Sequence, residues 1–491
     1  MPKVQKNHSA KHSEIVPVRQ LADSGPEVLV MGPADKQDVT FQLYVDMMVE
    51  YGMYLEADEN DRFPEKLPRD LNHYKAIIID QDLPVAKLVE KHRDYAAVKN
   101  RLRPYRKPKE FSWNDQRSQF VWVHRLLMQD GVTPQHPDFL ARGMARRDKK
   151  VIIDQCYAYW NESPVWLRYG NDVTFVNLGG MWRAARLYRH ADLQRKVLSA
   201  AQDVLDLLER DELPCSKGPN RRLHCGAMML QFWDETGRRD KRMYKHAVDS
   251  MISLADARAM AKRYREGAHQ GAGAGAPYTR AEHISGLQDW AILGGMLKKP
   301  GYLDAAVDVM KGGFDALFDR RKMLWAHYGV KGQRLGLTWG RGQNWVLYGL
   351  VGLLETLPKT HKDWPLLASW MEMTAEGMRR SQEPVTGLWH HVMGEPSTRL
   401  EVSGTSHAIQ HLCRAWRIGA LRASFVPDML TRAWRGLKAH TFHNRTCTFA
   451  WGTGEGYDLP FYNTVPCGGS LGYTYIAGAD YVKTFGPLVP G

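Results

Sequence analysis

The stretch from Trp339 to Pro358, WGRGQNWVLYGLVGLLETLP, carries the pattern on which the fold turns. Its apolar residues recur at helical spacing, Pro358 stops the run, and a second helical pattern opens near Trp364. Gly349 and Gly352 lie inside the first helix. A glycine costs a helix interior about 1 kcal/mol against alanine, so its repeated use marks close approach to another helix. The same arrangement recurs to either side. First helices open near Asp172, Arg222, Glu282, Gln343, Ser403 and Ser470, and second helices near Asp192, Lys241, Tyr302, Trp364 and Val426. A helix from about Pro137 to Trp160 completes the second set. Gly179-Gly180, Gly226 and Gly294-Gly295 repeat the glycine signature in the first set. First helices return roughly every 50 to 70 residues, longer than the commonest helical repeats. Glycine-bearing helices inside and their partners outside make a mainly α fold, an (α/α)6 toroid of six helical hairpins over residues 112–491.

The N-terminal part has a different character. Residues 1–26 are polar and without periodicity, which reads as a mobile segment. Val28-Leu29-Val30-Met31 and Ala76-Ile77-Ile78-Ile79 read as short strands, with an amphipathic helix from Val39 to Tyr54 between them. Residues 27–100 are therefore expected to form a small α/β appendage. Residues 101–111 open with RLRPYRKPKE, basic and broken by prolines, and read as a linker.

With 491 residues, 44% hydrophobic and 25% charged, the chain has ordinary globular composition and length for a large core. Its net charge of +13 is spread over many helices rather than packed into a run. That favours a surface attracting anionic small substrates over a nucleic-acid partner. No window approaches the roughly 18 apolar residues of a membrane span. The first residues contain no apolar signal region. Cys156, Cys215, Cys225, Cys413, Cys447 and Cys467 show no metal-finger spacing and read as reduced thiols, so the expected location is cytoplasmic. No metal or cofactor is expected; neither H-E-x-x-H nor a phosphate loop is present, and Gly271 to Gly275 lacks the following Lys-Ser/Thr. The pattern leaves the oligomeric state undetermined.

The starts of the inner helices would all face one end of such a toroid, and they are rich in polar and aromatic residues. They include Arg221 and His224, Glu282 and His283, Trp339, Arg341, Asn344 and Trp345, Glu401, Ser403 and His407, and Tyr473, with His327, Trp389 and His390 in loops. Helix N-termini present free N–H groups and partial positive charge to an anion. Arginine matches a carboxylate with a planar fork. Tryptophan covers the C–H face of a sugar while burying apolar area. Together they describe a pocket for an acidic carbohydrate. The bland readings stand beside this: Glu401 and Ser403 as helix caps, single histidines as structural residues, and Trp182, Trp233 and Trp290 as core.

Several of these segments resemble the unsaturated glucuronyl and rhamnogalacturonyl hydrolases, glycoside hydrolase families 88 and 105. Trp339-Gly340-Arg341-Gly342-Gln343-Asn344-Trp345 is similar to the family's W-G-R-G-N-G-W. Gly387-Leu388-Trp389 and Leu400-Glu401-Val402-Ser403-Gly404 are similar to its G-L-W and L-E-T-S-G segments. Gly452-Thr453-Gly454 and Leu471-Gly472-Tyr473 resemble its closing motifs, so the likeness runs over about residues 160–485. The resemblance implies an (α/α)6 barrel that removes a terminal 4,5-unsaturated uronic acid from acidic oligosaccharides. A carboxylic acid would protonate C4 of the vinyl ether, water would add at C5, and the hemiketal would collapse. Such an acid must hold its proton near neutrality, which needs a raised pKa.

Carried onto this chain, the resemblance implies Trp339, Arg341 and Trp345 in the subsite wall, Arg341 near the substrate carboxylate, and His327 in the pocket. The family's catalytic aspartate lies some 20 residues ahead of a Y-L-D, here Tyr302-Leu303-Asp304, and counting back reaches Glu282. Asp289, two turns on, is the second candidate acid. Arg221, Arg222 and His224 stand where the family has another aspartate, which implies a more anionic substrate. Two other readings remain. Tyr473, His407, His224 and Asn344 could serve a polysaccharide lyase, and an inactive carbohydrate-binding toroid would need no acid at all.

Overall fold

In the computed structural model the described residues are 28–31, 67–74, 76–80, 86–105, 146–162, 174–210, 221–249, 252–266, 279–330, 333–334, 337–395, 400–442, 445–446 and 468–488. Residues 1–26, the helix expected over Val39 to Tyr54 and the glycine run at Gly271 lie outside them. The chain divides into two compact units, Met1–Asp138 and Phe139–Gly491.

In the first unit, strand β1 (Val28–Met31) pairs in parallel with β2 (Ala76–Asp80), Val28 opposite Ala76. Leu29, Ile77 and Ile79 are buried with Leu71, Tyr74, Val89 and Val98, a small apolar core of its own. The linker reading is corrected in part: Leu102–Tyr105 is a third parallel strand, β3, with Ile77 opposite Leu102. It is the edge strand, where the N–H that Pro104 lacks is not needed by the ladder.

The second unit is the toroid. Its inner helices are α2 (Thr174–Leu187), α4 (Arg221–Glu235), α7 and α8 (Ala281–Ser285 and Leu287–Met296), α10 (Gly340–Thr356), α12 (Val402–Arg417) and α14 (Gly468–Phe485). Among the described residues each inner helix packs on the next, and α14 returns to α2, closing a ring of six. The outer helices are α1 (Asp148–Glu162) against α14, α3 (Ala191–Glu209) against α2, and α5 (Lys241–Asp249) against α4. Three more follow: α9 (Pro300–Leu317) against α8, α11 (Trp364–Ser381) against α10, and α13 (Val426–His440) against α12. One helix went unread in the sequence, α6 (Leu254–Arg265), which packs on α9. Its buried face is Ala257, Met260, Ala261 and Tyr264 on an otherwise charged helix, so alanines carry half of an already faint apolar stripe. Among the described residues no helix is long and apolar enough to cross a membrane.

Two features hold the ring shut. Asp148 and Lys438 form a wholly buried ion pair at 2.7 Å that joins the first outer helix to the last. The Trp434 indole N–H also donates to Asp148 (2.9 Å), and Lys438 donates to the Arg146 carbonyl (3.0 Å). The inner helices meet through glycine. A Cβ at Gly349 would overlap the Ile284 carbonyl oxygen of α7, and one at Gly352 would overlap the Gln288 side chain of α8. Gly179 differs, since a Cβ there meets nothing nearer than an Arg183 nitrogen at 3.7 Å.

Gly349→Ala decides between two effects of opposite sign. Propensity alone would stabilise α10 by about 1 kcal/mol. The overlap with backbone forces α10 away from α7, and overpacking of this kind costs about 1–3 kcal/mol or more. Net destabilisation is expected in urea titrations; a gain in stability would show that the two helices are not in backbone contact.

Candidate active site

The end of the barrel where the inner helices start is tied together by backbone. Between α9 and α10 run β5 (Phe318–Asp319), β6 (Leu324–Trp325), β7 (Tyr328–Val330) and β8 (Gln333–Arg334). β7 pairs with β4 (Thr279–Arg280), the two residues that lead into α7. The Ala281 N–H donates to the His327 carbonyl at 2.8 Å, and the His327 N–H donates to the Leu337 carbonyl at 2.7 Å. His327 is therefore held beside the first turn of α7, where Glu282 stands. The side chain of Glu282 lies outside the described part of the structure.

From His327 the contacts run across the ring. Its imidazole meets the Trp339 indole edge-on, with centroids 4.8 Å apart. The Arg341 guanidinium lies over the same indole at 4.4 Å, a cation–π contact. Arg341 then reaches α12, donating to Glu401 at 3.3 Å and to the Ser403 hydroxyl at 3.4 Å. Glu401 is the N-cap of α12: it also accepts from the Ser403 hydroxyl and the Gly404 N–H. Arg341 and Glu401 are 7% and 1% exposed, so this is a buried ion pair that either partner needs. Asn344 adds a second tie, its amide donating at 2.8 Å to the carbonyls of Gly340 and of Gly404. Gln343 holds the Trp325 main chain, accepting its N–H at 2.7 Å and donating to its carbonyl.

Below this layer, toward the barrel axis, lie Trp345, His407, His411 and Tyr348. Ring centroids are 5.3 Å apart for Trp345–His407, 5.5 Å for His407–His411 and 5.2 Å for Tyr348–His411. Burial, helped by the Arg341 charge, pushes the His407 imidazole down to about 3, and burial holds His411 well below its ordinary value. Both are neutral across the physiological range. Asp289 is the reverse case: burial raises its carboxyl well above the usual carboxylate range, and its charge would bear on Tyr348. A neutral, protonated carboxyl can donate.

With this geometry in place, the chain can be set beside known proteins. The Glycosyl Hydrolase Family 88 model matches residues 174–475, from the first residue of α2 into α14. The chain belongs to glycosyl hydrolase family 88. The unsaturated rhamnogalacturonyl hydrolase YesR of Bacillus subtilis is 25% identical over 224 residues, 42% of this chain. The chain spans 62% of the length of that relative. Among solved structures, a possible GH105 member from Salmonella enterica superposes with a TM-score of 0.53 at 16% identity, over 69% of this chain and 94% of its own. A family 88 glycosyl hydrolase from Bacteroides vulgatus gives 0.52 at 15% identity, over 69% of this chain and all of its own. Those identities speak to the fold, and the fold is the (α/α)6 toroid expected.

Several expected site residues take other places in this family 88 barrel. Trp389 is 1% exposed and its indole N–H donates to the Met378 carbonyl at 2.7 Å, so it is core and offers no face to a sugar. Asn344 spends its amide N–H groups on the Gly340 carbonyl of its own helix and the Gly404 carbonyl of α12. His283 closes the start of α7, its Nδ1 accepting the Arg280 N–H at 3.2 Å. Ser403 serves the Glu401 cap. His390 is half-buried in a bridge to Leu400. The side chains of Arg221, His224 and Tyr473 lie outside the described residues, although α4 and α14 do begin as expected. Among the described residues no three His, Cys, Asp or Glu side chains form a set that could hold a metal ion. His411 was not singled out beforehand; its signal was the i, i+4 spacing to His407, which puts both on one face of α12.

The buried imidazoles set a pH dependence. An unfolded histidine titrates near 6.5 and folded His407 near 3, so between these values only the unfolded chain takes up the proton. The contribution is whole above about pH 6.5 and is lost as pH falls, by about 2 kcal/mol per imidazole at pH 5. Asp289 acts oppositely: its contribution is whole below the unfolded value of 3.8 and is lost as pH rises through the raised folded value. His407→Gln should shrink the stability difference between about pH 7.5 and 5 by about 2 kcal/mol in urea titrations. An unchanged difference would mean that His407 is protonated in the native state.

Proposed function

We propose that this family 88 chain removes a terminal 4,5-unsaturated uronic acid from acidic oligosaccharides by hydrating its vinyl ether double bond. The observation that carries the reading is the run of contacts from the first turn of α7 through His327 and Trp339 to Arg341. It supports the reading by bringing the Glu282 backbone, the Trp339 indole and the Arg341 guanidinium to one end of the ring. Glu282 is the proton donor. Its carboxyl gives a proton to C4, and positive charge develops at C5, shared with the ring oxygen. Water adds at C5 and returns its proton to the carboxylate, and the hemiketal opens to release the rest of the oligosaccharide.

Arg341 meets the uronate carboxylate, with Glu401 and Ser403 fixing the direction of its fork. His327 and Trp339 form the wall beside it. The basic start of α4, with Arg221, Arg222 and His224, favours a substrate carrying further negative charge. The cytoplasmic location belongs to the same reading, supported by Cys156 and Cys413, which are free and buried.

Unsaturated disaccharides released by several uronate lyases are the test substrates. Turnover is expected as loss of the ultraviolet absorbance of the conjugated double bond; a gain of that absorbance on an intact polymer would mean a lyase. Glu282→Gln should lower kcat by at least about a hundredfold while leaving substrate binding within about threefold. Asp289→Asn should keep most activity, because its carboxyl is buried on the axis. The opposite outcome for the two variants would move the acid to Asp289.

A further inference from the structure

Two cavities among the described residues reach the last turns of the inner helices. One, of about 170 Å³, runs inward from Arg183 and Asp480 as far as Met228 and Tyr348. A wider one, of about 460 Å³, adjoins it over Trp182 and Arg186 and shares Arg183, Glu235, Asp480 and Lys483. Arg341 and Glu355 mark the two ends of α10; at 1.5 Å per residue they stand about 20 Å apart. The two ends of the ring are separate places.

The inner chamber is built from paired charges. Arg183–Glu235 (2.9 Å), Arg414–Glu355 (2.6 Å) and Arg417–Asp480 (2.7 Å) come from five inner helices near their last turns. Burial works against the Glu355 carboxylate, but Arg414 overrides it and holds the group ionised. Phe175 and Phe232, with centroids 5.9 Å apart, form one apolar wall. Gln410 also lines the chamber; it is 4% exposed and makes no hydrogen bond to any described residue. Its amide opens onto the chamber rather than being sealed in the protein, so a ligand hydroxyl there can take the place of water.

This lining selects a chemistry. An apolar ligand would strip water from three ion pairs and an amide without replacing it. A simple inorganic anion finds each arginine already matched by a carboxylate. A polyhydroxylated ring answers every feature: its hydroxyls donate to carboxylates and accept from guanidinium and amide N–H groups, while its C–H face covers a phenyl ring. Lys483, exposed at the mouth, is the one cation lining the inner chamber beyond the three pairs among the described residues. We propose that the far end of this toroid holds a second saccharide site, which takes a single uronic-acid sugar with its carboxylate toward Lys483 and its hydroxyls toward Gln410 and the ion pairs. The proposal stands apart from the assignment of Glu282, since neither Gln410, Lys483 nor the three ion pairs belong to the residues assigned to that reaction.

Calorimetric titration of the full chain with D-glucuronate tests it, with D-glucose and inorganic phosphate as parallel ligands. Saturable glucuronate binding is expected, weakened about tenfold by Gln410→Leu, the loss of about one good hydrogen bond. Gly179→Leu, at a position where a Cβ has room, should fill the chamber and abolish binding. Lys483→Gln should remove the preference for glucuronate over glucose. All three variants should keep wild-type turnover of unsaturated disaccharides if that activity is present. Should Gly179→Leu fail to fold, Gln410→Leu and Lys483→Gln carry the decision. Absence of binding to the wild type, or binding that neither Gln410→Leu nor Lys483→Gln alters, overturns the site. Phosphate binding as tightly as glucuronate overturns its assignment to a sugar.

Discussion

The buried pair between Arg341 and Glu401 joins what the rest of the barrel end is built on. Arg341 opens one inner helix and Glu401 caps the next, so a single contact orders two helix starts and the indole of Trp339 stacked on the guanidinium. Charges this deep persist only when paired, because the cost of removing an ion from water is several kcal/mol. Pairing inside the protein has a second effect. The arginine that would meet a substrate carboxylate is already held in one direction, and the energy of ordering it has been spent during folding rather than during binding.

The same logic governs the barrel axis. Six helices facing one axis leave too little volume for long apolar side chains at every level, and glycines at Gly349 and Gly352 bring backbones into contact there. The polar groups that remain are sorted by depth. His407, His411 and Asp289 sit where burial keeps all of them uncharged. Nearer the far end the axis carries ionised arginine–carboxylate pairs instead. Carbonyl groups unsatisfied at helix C-termini favour the cationic partner of each pair there, as N–H groups at the other end favour an anion. A helical toroid thus has two chemically different mouths by construction.

The helix register was legible from the chain because it depends on local spacing. The observed inner starts at Arg221, Ala281 and Val402 fall within a residue of those expected, and Lys241, Trp364 and Val426 open outer helices as expected. Where the apolar face was made of alanine, in Leu254–Arg265, the signal was too faint, and where a proline occupied an edge strand at Pro104 it was misleading. The candidate site was legible as a group of residues but not as roles. Trp389 and Asn344 share the barrel end with Trp339 and Arg341, yet one points into the core and the other ties two helices.

Residue type and spacing alone determined that this chain forms paired helices, how many close the ring, and that one end collects arginine, tryptophan and histidine. Those properties follow from the period of the helix and from which side chains can be buried. Tertiary structure alone decided which of the collected residues face one another, which carboxylate neutralises Arg341, and that a chamber lined by Gln410 and three ion pairs exists at the opposite end. Such contacts join positions about 50 to 300 residues apart, and the strength of an electrostatic contact is set by its distance and burial, neither of which is written in local sequence.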